Sequence, residues 1–394
     1  MPRIGMGLVG PGFVGMHHID AVRRLGFVDV VAIADVDEGL ARAKADALGV
    51  AKAYGSFDAL AADPAVHVVH NTTPNFLHGP VVRAALGHGK HIVSEKPLAS
   101  SAAEARELWL AARDAGVVHA VTFNYRGNPM VQQARAMVAA GDVGPVHYVH
   151  GAYLQDWLLK ATYFSWRLEP EKGGASSAVA DIGSHWCDLA QHVTGRRIQS
   201  VLADLTTVVP TRYRPRDARE AFAASRDERG DPFEMRSEDL ATLLLRFEGG
   251  ARGVVSIGQV CAGHKNDFWL EVSGAAASLK WRQEQQNELW IGRRDEANAV
   301  LAKDPSLLAP DARPYTRLPG GHQEGWPDAF LNVLRDVYDA VLHHDHGTAA
   351  PRSAYATFED GFRVACLVDA VLESHRQGGV WTTVAASELV GSVR

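Results

Sequence analysis

A carboxylate and an imidazole four residues apart could together move a proton at a hydroxyl group. Asp181 and His185 lie in the segment 180–186, and the four-residue spacing puts both on one face of a helix predicted over 174–194. The carboxylate favours the protonated imidazole and orients its ring, so His185 could accept the proton of an alcohol during oxidation. Small and apolar neighbours favour a buried cleft wall over a solvent-exposed ion pair.

A lysine in the first half of the chain is suited to stabilising a negatively charged oxygen. Lys96 stands between Glu95 and Pro97, directly after an apolar run that predicts a strand over 91–94. Pro97 cannot continue the hydrogen-bond ladder and fixes the local backbone, so Lys96 is expected at the rim of a cleft. Its ammonium could there hydrogen-bond a substrate oxygen and favour the developing alkoxide.

A glycine pattern near the N-terminus predicts a dinucleotide-binding loop. Gly10, Gly12 and Gly15 follow an apolar stretch and precede a predicted helix that begins with Phe13 and Val14. Gly10 permits the tight turn, Gly12 lets the backbone approach a pyrophosphate, and Gly15 lets the helix pack closely on the sheet. The amide groups at the start of the helix would face the phosphates.

An acidic residue at the end of the second apolar run predicts which dinucleotide binds. Asp35 follows Gly15 by twenty residues, a distance at which a carboxylate accepts hydrogen bonds from the adenosine ribose. A 2′-phosphate would be repelled there, and Val36 supplies no cation. The sequence therefore predicts NAD as the cofactor in preference to NADP.

The same helix also allows a rival interpretation as a metal site. Asp181, His185, Asp188 and His192 follow a spacing that could line one stripe and ligate a metal ion, as in a metal-dependent sugar isomerase or epimerase. Because the chain carries a dinucleotide loop that such a site does not need, we favour a site without a metal. The tract 343–346 resembles a metal tract, but its position predicts a solvated helix end.

The order of predicted elements positions these side chains. Residues 1–125 alternate strands with helices, which is typical of a doubly wound parallel sheet. Ligands bind outside the carboxyl ends of such strands, so Thr72, Thr73, Pro74 and Asn75 after the third strand, and Glu95 and Lys96 after the fourth, should face the cofactor. The strands are predicted at 4–10, 28–34, 66–71, 91–94 and 117–122, and the helices near 13–25, 38–48, 57–62, 78–89 and 101–115.

The second part of the chain, 126–394, has a different pattern. Alternating strand runs without intervening helices predict an α+β domain with a mostly antiparallel sheet. Residues 209–237 are rich in charge and predict a surface arm, and 293–320 predict an irregular connection. The strands are predicted at 145–153, 198–208, 239–247, 251–260, 267–273, 277–282 and 287–291, and the helices at 129–140, 174–194, 325–344 and 356–378; the last of these could pack back on the first domain.

Composition narrows the functional class. The 394 residues carry a net charge of −6, which offers no basic surface for nucleic acid. No apolar run is long enough to span a bilayer, and the N-terminus begins directly with a strand instead of a leader. Three widely separated cysteines, Cys187, Cys261 and Cys366, predict buried free thiols in a reducing cytoplasm.

Taken together, these motifs resemble the glucose–fructose oxidoreductase / inositol dehydrogenase / MocA family. The glycine loop matches its cofactor loop, 73–78 matches its TPN-x-x-H segment and so adds His78 to the cofactor residues, and 95–97 matches its EKP motif with a catalytic lysine. Asp181 and His185 match the pair that completes the catalytic triad of its inositol-type dehydrogenases. The resemblance implies an N-terminal Rossmann domain, a large open sheet in the C-terminal domain, and a homodimer or homotetramer formed through that sheet.

Further segments are similar to a narrower, levoglucosan dehydrogenase-like group that oxidises C3 of a glucoside or anhydrosugar. They comprise 151–158, 166–167 and 320–325. In such a pocket Tyr125, Gln155, Arg167 and His322 would contact the substrate, because sugar sites combine aromatic rings with groups that bind hydroxyls. For the tryptophans in these segments, plain packing is the favoured interpretation.

The resulting hypothesis is an NAD-dependent dehydrogenase that acts on a secondary hydroxyl of a cyclic sugar, anhydrosugar or polyol. Two alternatives stay open. One is an NAD-dependent glycosidase or lyase that oxidises C3 transiently and reduces it again. The other is a non-enzymatic regulator that binds NAD, against which the presence of Lys96, Asp181 and His185 argues.

Overall fold

The computed structural model describes residues 3–215, 230–348 and 353–385. The chain divides into two compact units. The first unit comprises residues 1–127 and 326–362, and the second comprises 128–325 and 363–394. The sequence predicts a single boundary between residues 125 and 126. In the structure, residues 326–362 make most of their contacts with the first unit and therefore belong to it.

The first unit is built on a six-stranded sheet in the order β3-β2-β1-β4-β5-β6, and every pairing is parallel. This confirms the predicted doubly wound sheet. The strands are β1 Ile4–Val9, β2 Val28–Ala34, β3 Lys52–Tyr54, β4 Val68–Asn71, β5 His91–Ser94 and β6 His119–Val121. The helices are α1 Phe13–Leu25, α2 Glu38–Leu48, α3 Phe57–Ala62, α4 His78–Gly87, α5 Ala102–Ala115 and, from the end of the chain, α9 Trp326–Asp345.

Local sequence explains where these helices begin and end. Asp37, Ser56 and Ser101 accept hydrogen bonds from backbone amides in the first turns of α2, α3 and α5, which satisfies donors that a helix start leaves open. Helices α1, α2 and α5 each end at a glycine in the left-handed conformation, as glycine most readily permits. These capping hydrogen bonds fix where α2, α3 and α5 begin.

The second unit contains a nine-stranded sheet in the order β16-β15-β14-β13-β7-β12-β11-β8-β17. Among the described strands of this nine-stranded sheet, only β7 and β12 pair in parallel, so the predicted mostly antiparallel sheet is confirmed. The strands are β7 Val146–Leu154, β8 Ile198–Thr206, β11 Leu240–Phe247, β12 Arg252–Gly258, β13 Asp267–Gly274, β14 Ala277–Arg282, β15 Glu288–Arg293, β16 Ala299–Ala302 and β17 Thr382–Thr383. Its helices are α6 Pro129–Ala140, α7 Pro170–Gly173 and α8 Ser184–Thr194, and α10 Phe358–Arg376 begins in the first unit and ends in the second.

The two faces of this sheet differ in composition. Along β11 the side chains alternate between buried and exposed, so that Leu243 and Leu245 are fully buried while Leu244 is 41% exposed. Helices α6 and α8 contact the sheet, and the alternating buried side chains supply the apolar face of a sheet covered on one side.

Three segments differ from the sequence prediction. β3 was not predicted, because a strand of three residues with only Ala53 buried carries too little periodicity. The expected helix over 174–194 begins at residue 178 and passes through a π-helical turn, Val179–Gly183, before α8. The predicted connection over 293–320 contains β16, which pairs with β15 at the edge of the sheet.

The predicted surface arm over 209–237 also contains paired strands. β9 (Thr211–Arg214) and β10 (Asp231–Glu234) form a two-stranded antiparallel sheet, and 216–229 lie outside the described residues. Arg212 is fully buried and donates hydrogen bonds to the carbonyl groups of Leu158, Lys160 and Tyr163. Its charge is compensated by the buried Asp239, 3.5 Å away. Arg212, in a segment rich in charge, is therefore buried because partners that are distant along the chain satisfy its guanidinium.

The three cysteines are free thiols. Cys187 and Cys366 are buried, and burial raises the pKa of each to about 12. Within the described parts of the chain, no helix has both the length and the apolar character that crossing a membrane requires.

Candidate active site

The glycine loop joins β1 to α1 and is held by its neighbours. Gly10 has a φ of 86°, a value that favours glycine. Its amide donates to the carbonyl of Ala34 at 2.9 Å. The hydroxyl of Thr72 donates to the Gly10 carbonyl at 2.6 Å. The loop is therefore tied to the ends of both β2 and β4, which leaves its conformation little freedom.

The space around the loop fits a pyrophosphate. A Cβ atom added to Gly12 would meet no heavy atom within 4 Å, whereas one added to Gly15 would lie 2.7 Å from the Gly10 carbonyl oxygen. Gly12 therefore keeps a surface open for close approach, and Gly15 keeps α1 against the loop. No side chain caps the start of α1, so its first amide groups are available to an anion.

Asp35 directly follows the last residue of β2, and the sequence predicts that its carboxylate binds a ribose. Its Oδ1 accepts a hydrogen bond from the amide of Asp37 at 3.3 Å. Val36 beside it is 79% exposed and brings no positive charge. This arrangement suits a ribose with free hydroxyl groups better than one that carries a 2′-phosphate.

Replacing Gly12 by valine should remove cofactor binding without harming the fold. The added side chain enters open space in the protein and would occupy the volume that a pyrophosphate needs. We expect NADH affinity, measured by fluorescence titration, to fall about 100-fold, roughly 3 kcal/mol, with an unchanged melting temperature. As the matched control, Gly15→Ala should lower the melting temperature because of its backbone clash. Normal NADH affinity in Gly12→Val would contradict the assignment of the loop.

The segment after β4 is organised mainly by hydrogen bonds within the protein. The Thr73 hydroxyl donates to Asn71 Oδ1 at 2.7 Å. His78 is fully buried, with Nδ1 2.7 Å from the carbonyl oxygen of Pro97 and Nε2 2.9 Å from that of Thr73. Burial lowers the pKa of His78, although both carbonyl groups favour the charged ring. His78 thus links the two segments predicted to face the cofactor, while Asn75 begins a short 3-10 turn at their surface.

The segment after β5 carries Glu95 and Lys96, both half-buried. Glu95 Oε1 accepts hydrogen bonds from the Thr122 hydroxyl at 2.5 Å and from His18 Nε2 at 3.1 Å. Its Oε2 lies 3.3 Å from the amide nitrogen of Lys96. Tyr125, a predicted substrate contact, is 5% exposed in the 3-10 turn Asn124–Gly127. Lys96 follows the last residue of β5 by two positions, and its place at the rim of a cleft stays a prediction.

In the second unit, Asp181 is held from two sides. The amide of Gln259 donates to Asp181 Oδ2 at 2.8 Å, and Arg167 Nε lies 3.6 Å from Oδ1. Asp181 stands in the π-helical turn and His185 in the first turn of α8. π-Helical turns occur frequently at functional sites. His185 is 9% exposed, and its ring centroid lies 6.4 Å from that of Tyr153.

A buried glutamate that the sequence analysis did not identify fixes the start of this turn. One oxygen of Glu238 accepts from the Ser176 hydroxyl at 2.7 Å and from the amides of Ser177 and Val179 at 3.0 and 2.9 Å. Burial raises the pKa of Glu238 despite these donors. Glu238 and Gln259 lie far along the chain from the residues they hold, and no local pattern reveals such pairs.

The remaining predicted substrate residues differ in their surroundings. Gln155 is half-buried and donates to Asn266 at 2.9 Å. The Arg167 guanidinium stacks on the Trp166 ring at 4.5 Å. His322 is exposed in a turn, with Nδ1 3.4 Å from the Gly320 carbonyl oxygen. Arg167 also contacts a proposed catalytic side chain, since its Nε lies 3.6 Å from Asp181 Oδ1.

The metal interpretation receives no geometric support from the helix stripe. His192 Nε2 lies 3.0 Å from the Gln132 amide nitrogen, which occupies that ring atom. Among the described residues, the one group of three closely spaced ligand atoms is formed by His91, His344 and Asp345. There the amide of Val118 donates to His91 Nδ1. The proton of a neutral His91 ring must then sit on Nε2, the atom that would have to bind the metal.

Comparisons with known proteins identify the family. Residues 4–123 match a domain described as "Oxidoreductase family, NAD-binding Rossmann fold", and 131–280 match the GFO/IDH/MocA C-terminal domain. The chain is 31% identical over 386 residues to levoglucosan dehydrogenase of Pseudarthrobacter phenanthrenivorans, an alignment that covers 95% of this chain and 96% of that protein. The chain belongs to the GFO/IDH/MocA family. The family and the levoglucosan dehydrogenase-like subgroup predicted from the sequence are both confirmed.

Solved structures agree with this assignment over nearly the whole chain. A levoglucosan dehydrogenase in complex with NADH and L-sorbose superposes with a TM-score of 0.86 at 28% identity, covering 98% of this chain and 99% of that one. An inositol dehydrogenase homologue of Azotobacter vinelandii, in complex with NADH and myo-inositol, gives 0.85 at 29% identity and covers 97% and 98%. The protein is thus an NAD-binding oxidoreductase with a Rossmann domain, as predicted.

Proposed function

We propose that this family member is an NAD-dependent dehydrogenase that oxidises a secondary hydroxyl of a cyclic sugar, anhydrosugar or polyol. The observation that carries the proposal is the combination, on one chain, of an open glycine loop with Lys96 and the Asp181–His185 pair. A regulator without catalysis needs only the first of these. The presence of Lys96, Asp181 and His185 therefore supports an enzyme.

In the proposed mechanism each side chain has one task. His185 accepts the hydroxyl proton, and Asp181, itself held by Gln259 and Arg167, stabilises the imidazolium that forms. Lys96 binds the same oxygen and stabilises its negative charge. The bound nicotinamide supplies the acceptor for the hydride of the carbinol carbon. The expected rate gain comes from orientation and from charge stabilisation.

Several features support a substrate that carries many hydroxyl groups. Arg167 Nη1 is buried and has no hydrogen-bond partner within the described residues, so a donor is available beside Asp181. Gln155, Tyr125 and His322 are the further proposed substrate contacts. Relatives with known ligands include levoglucosan dehydrogenase with levoglucosan and an inositol dehydrogenase homologue with myo-inositol. We therefore propose a cyclic polyol or anhydrosugar as the substrate class.

A screen of reduced cofactor formation tests the proposal. Monosaccharides, inositols and anhydrosugars are incubated with the protein and NAD, and NADH is followed by its absorbance. We expect net NADH in proportion to the oxidised substrate for at least one compound. Cleavage of a glycoside without accumulation of NADH would instead establish the transient-oxidation mechanism. Absence of turnover on every class, together with tight NADH binding, would contradict the proposal and favour a regulator.

The cofactor preference can be reversed at two positions. The double substitution Asp35→Ser and Val36→Arg removes the carboxylate that repels a 2′-phosphate and adds a guanidinium that binds it. We expect the ratio of kcat/KM for NAD to that for NADP to fall roughly 10- to 150-fold, since charge-assisted pairs contribute roughly 1.5–3 kcal/mol. Asp37→Ser, two residues away, is the control and should leave the ratio unchanged. An unchanged ratio in the double variant would place the ribose elsewhere.

We also propose that the protein forms a homodimer or homotetramer through the uncovered face of its large sheet. The strand pairings form one cross-strand row that runs through Leu244, Val254, His150, Glu271, Lys280, Trp290 and Val300. In this row Leu244 is 41% exposed and Val300 59%, and apolar groups on an open sheet face support an interface. Light scattering of the wild type and of Leu244→Glu tests it.

The three free cysteines support the proposed cytoplasmic location.

A further inference from the structure

Three fully buried side chains form a hydrogen-bond chain that ends at the half-buried Glu95, the neighbour of Lys96. The hydroxyl of Tyr338 on α9 lies 3.0 Å from His70 Nε2 on β4. His70 Nδ1 lies 2.7 Å from His18 Nδ1 on α1. His18 Nε2 lies 3.1 Å from Glu95 Oε1. Tyr338, His70 and His18 are all fully buried, so this hydrogen-bond chain is shielded from solvent up to its partly exposed end at Glu95.

With all three side chains in their neutral forms, the contacts favour donation from Tyr338 towards Glu95. His70 Nε2 is the hydrogen-bond partner of the Tyr338 hydroxyl, so donation by Tyr338 avoids leaving its buried proton unsatisfied. His70 then carries its proton on Nδ1 and donates to His18 Nδ1. His18 in turn carries its proton on Nε2 and donates to Glu95. Burial raises the pKa of Tyr338 well above and lowers that of His70 well below the usual values, which keeps both groups neutral.

The end of the chain is a carboxylate that receives several donors. Burial would raise the pKa of Glu95, yet the hydrogen bond and electrostatic interaction with His18, the hydrogen bond from Thr122 and the charge of Lys96 hold it below its usual range. The other titratable groups facing Glu95 are His17 on α1 and His78 on α4. Because the pKa of Glu95 is lowered, its stabilising contribution is present at neutral pH and is lost as the pH falls through that pKa.

We propose that Tyr338, His70 and His18 form a directional hydrogen-bond chain that keeps Glu95 ionised beside Lys96, and that Glu95 is a positioning residue for the Lys96 ammonium. Reversal of the chain would present the lone pair of His18 Nε2 to Glu95, which could then form this hydrogen bond only as a protonated acid. The Tyr338 hydroxyl opposes that reversal, although three hydrogen bonds separate it from Glu95. The effect of this hydrogen-bond chain on catalysis rests on the proposed function, whereas its effect on the protonation of Glu95 does not.

The protonation of Glu95 can be measured without a substrate. Infrared difference spectroscopy across a pH titration records the protonated carboxyl band, and Glu95→Gln assigns that band by its loss. In Tyr338→Phe, His70 no longer receives a donor, so both directions of the chain become similar in energy. We expect Glu95 to be half-protonated at a pH about one unit higher than in the wild type, a tenfold higher proton affinity.

A second substitution distinguishes the directional chain from a loss of packing. In His18→Gln the side-chain amide donates to Glu95 whichever way the rest of the chain is oriented. Adding Tyr338→Phe to His18→Gln should therefore leave the Glu95 titration unchanged. Tyr54→Phe is the matched control, because it removes a phenol that donates to Asp63 at 3.0 Å in the same unit and should not affect Glu95.

Three results would overturn the proposal. They are an unchanged Glu95 titration in Tyr338→Phe, a shift that persists in the double variant, and an equal shift in Tyr54→Phe. Once a substrate is known, the acid limb of kcat in Tyr338→Phe should move to higher pH with the same KM for NAD. Failure of the proposed function would appear separately, as a wild type without turnover whose infrared titrations still behave as expected.

Discussion

Lys96→Met is expected to lower kcat about 10²–10³-fold, the loss typical of removing one donor to a developing oxyanion. Methionine keeps an unbranched chain of similar length but has no charge and no hydrogen-bond donor. The alkoxide that forms as His185 withdraws the proton would then lack its cation. Because the ammonium acts chiefly when negative charge develops, kcat and kcat/KM should fall together. Steady-state kinetics with the best substrate of the screen measures both.

The controls for this substitution separate charge from folding. Lys90→Met removes a lysine of the same unit whose Nζ donates to the Asp63 carbonyl at 3.1 Å, away from the strand ends predicted to face the cofactor, and should keep wild-type kcat. NADH affinity of Lys96→Met should remain normal. Lys96→Arg should not restore activity, because a planar guanidinium cannot place its donors as an ammonium does. A kcat for Lys96→Met within about twofold of the wild type would remove Lys96 from the mechanism.

His185→Gln is expected to lower kcat about 10²–10⁴-fold, the range for loss of a general base. Glutamine retains hydrogen-bonding groups but cannot accept the hydroxyl proton at neutral pH. Solvent hydroxide must then take the proton, so kcat of the variant should rise steadily with pH where the wild type levels off. The measurement is a full pH profile of kcat with saturating NAD.

A histidine–aspartate pair elsewhere in the second unit provides the control. His264 Nδ1 lies 2.8 Å from Asp267 Oδ2 at the protein surface. His264→Gln should therefore leave kcat and its pH profile unchanged. If His185→Gln retained the wild-type profile, another group would have to accept the proton, and the role of Asp181 would fall with that of His185.

The first half of the fold could be predicted because its local signals agree with its long-range structure. The apolar runs of β1 and β2, the glycine loop and the helix caps each carry their information within a few residues. β9 could not be predicted from the sequence, because the burial of Arg212 depends on distant partners. These are the carbonyls of Leu158, Lys160 and Tyr163 and the carboxylate of Asp239. Those partners lie 27 to 54 residues away, beyond the reach of periodicity.

The candidate site shows the same division. The sequence identified the side chains that could act, Lys96, Asp181 and His185, because their types and spacing are informative by themselves. It did not identify Gln259 and Glu238, which hold the Asp181 turn from 78 and 62 residues away. Such supporting residues look like ordinary polar residues of a strand until the sheet is assembled.

The discontinuity of the first unit has a consequence for how the protein is made. Phe330, Leu334 and Tyr338 of α9 belong to the same apolar core as β1 and α1, yet they leave the ribosome after the whole stretch 128–325. At about 5–20 residues per second, that interval lasts roughly 10–40 s. During it the nascent N-terminal part exposes the surface that α9 will cover, so the first unit can complete its core only after α9 has been synthesised.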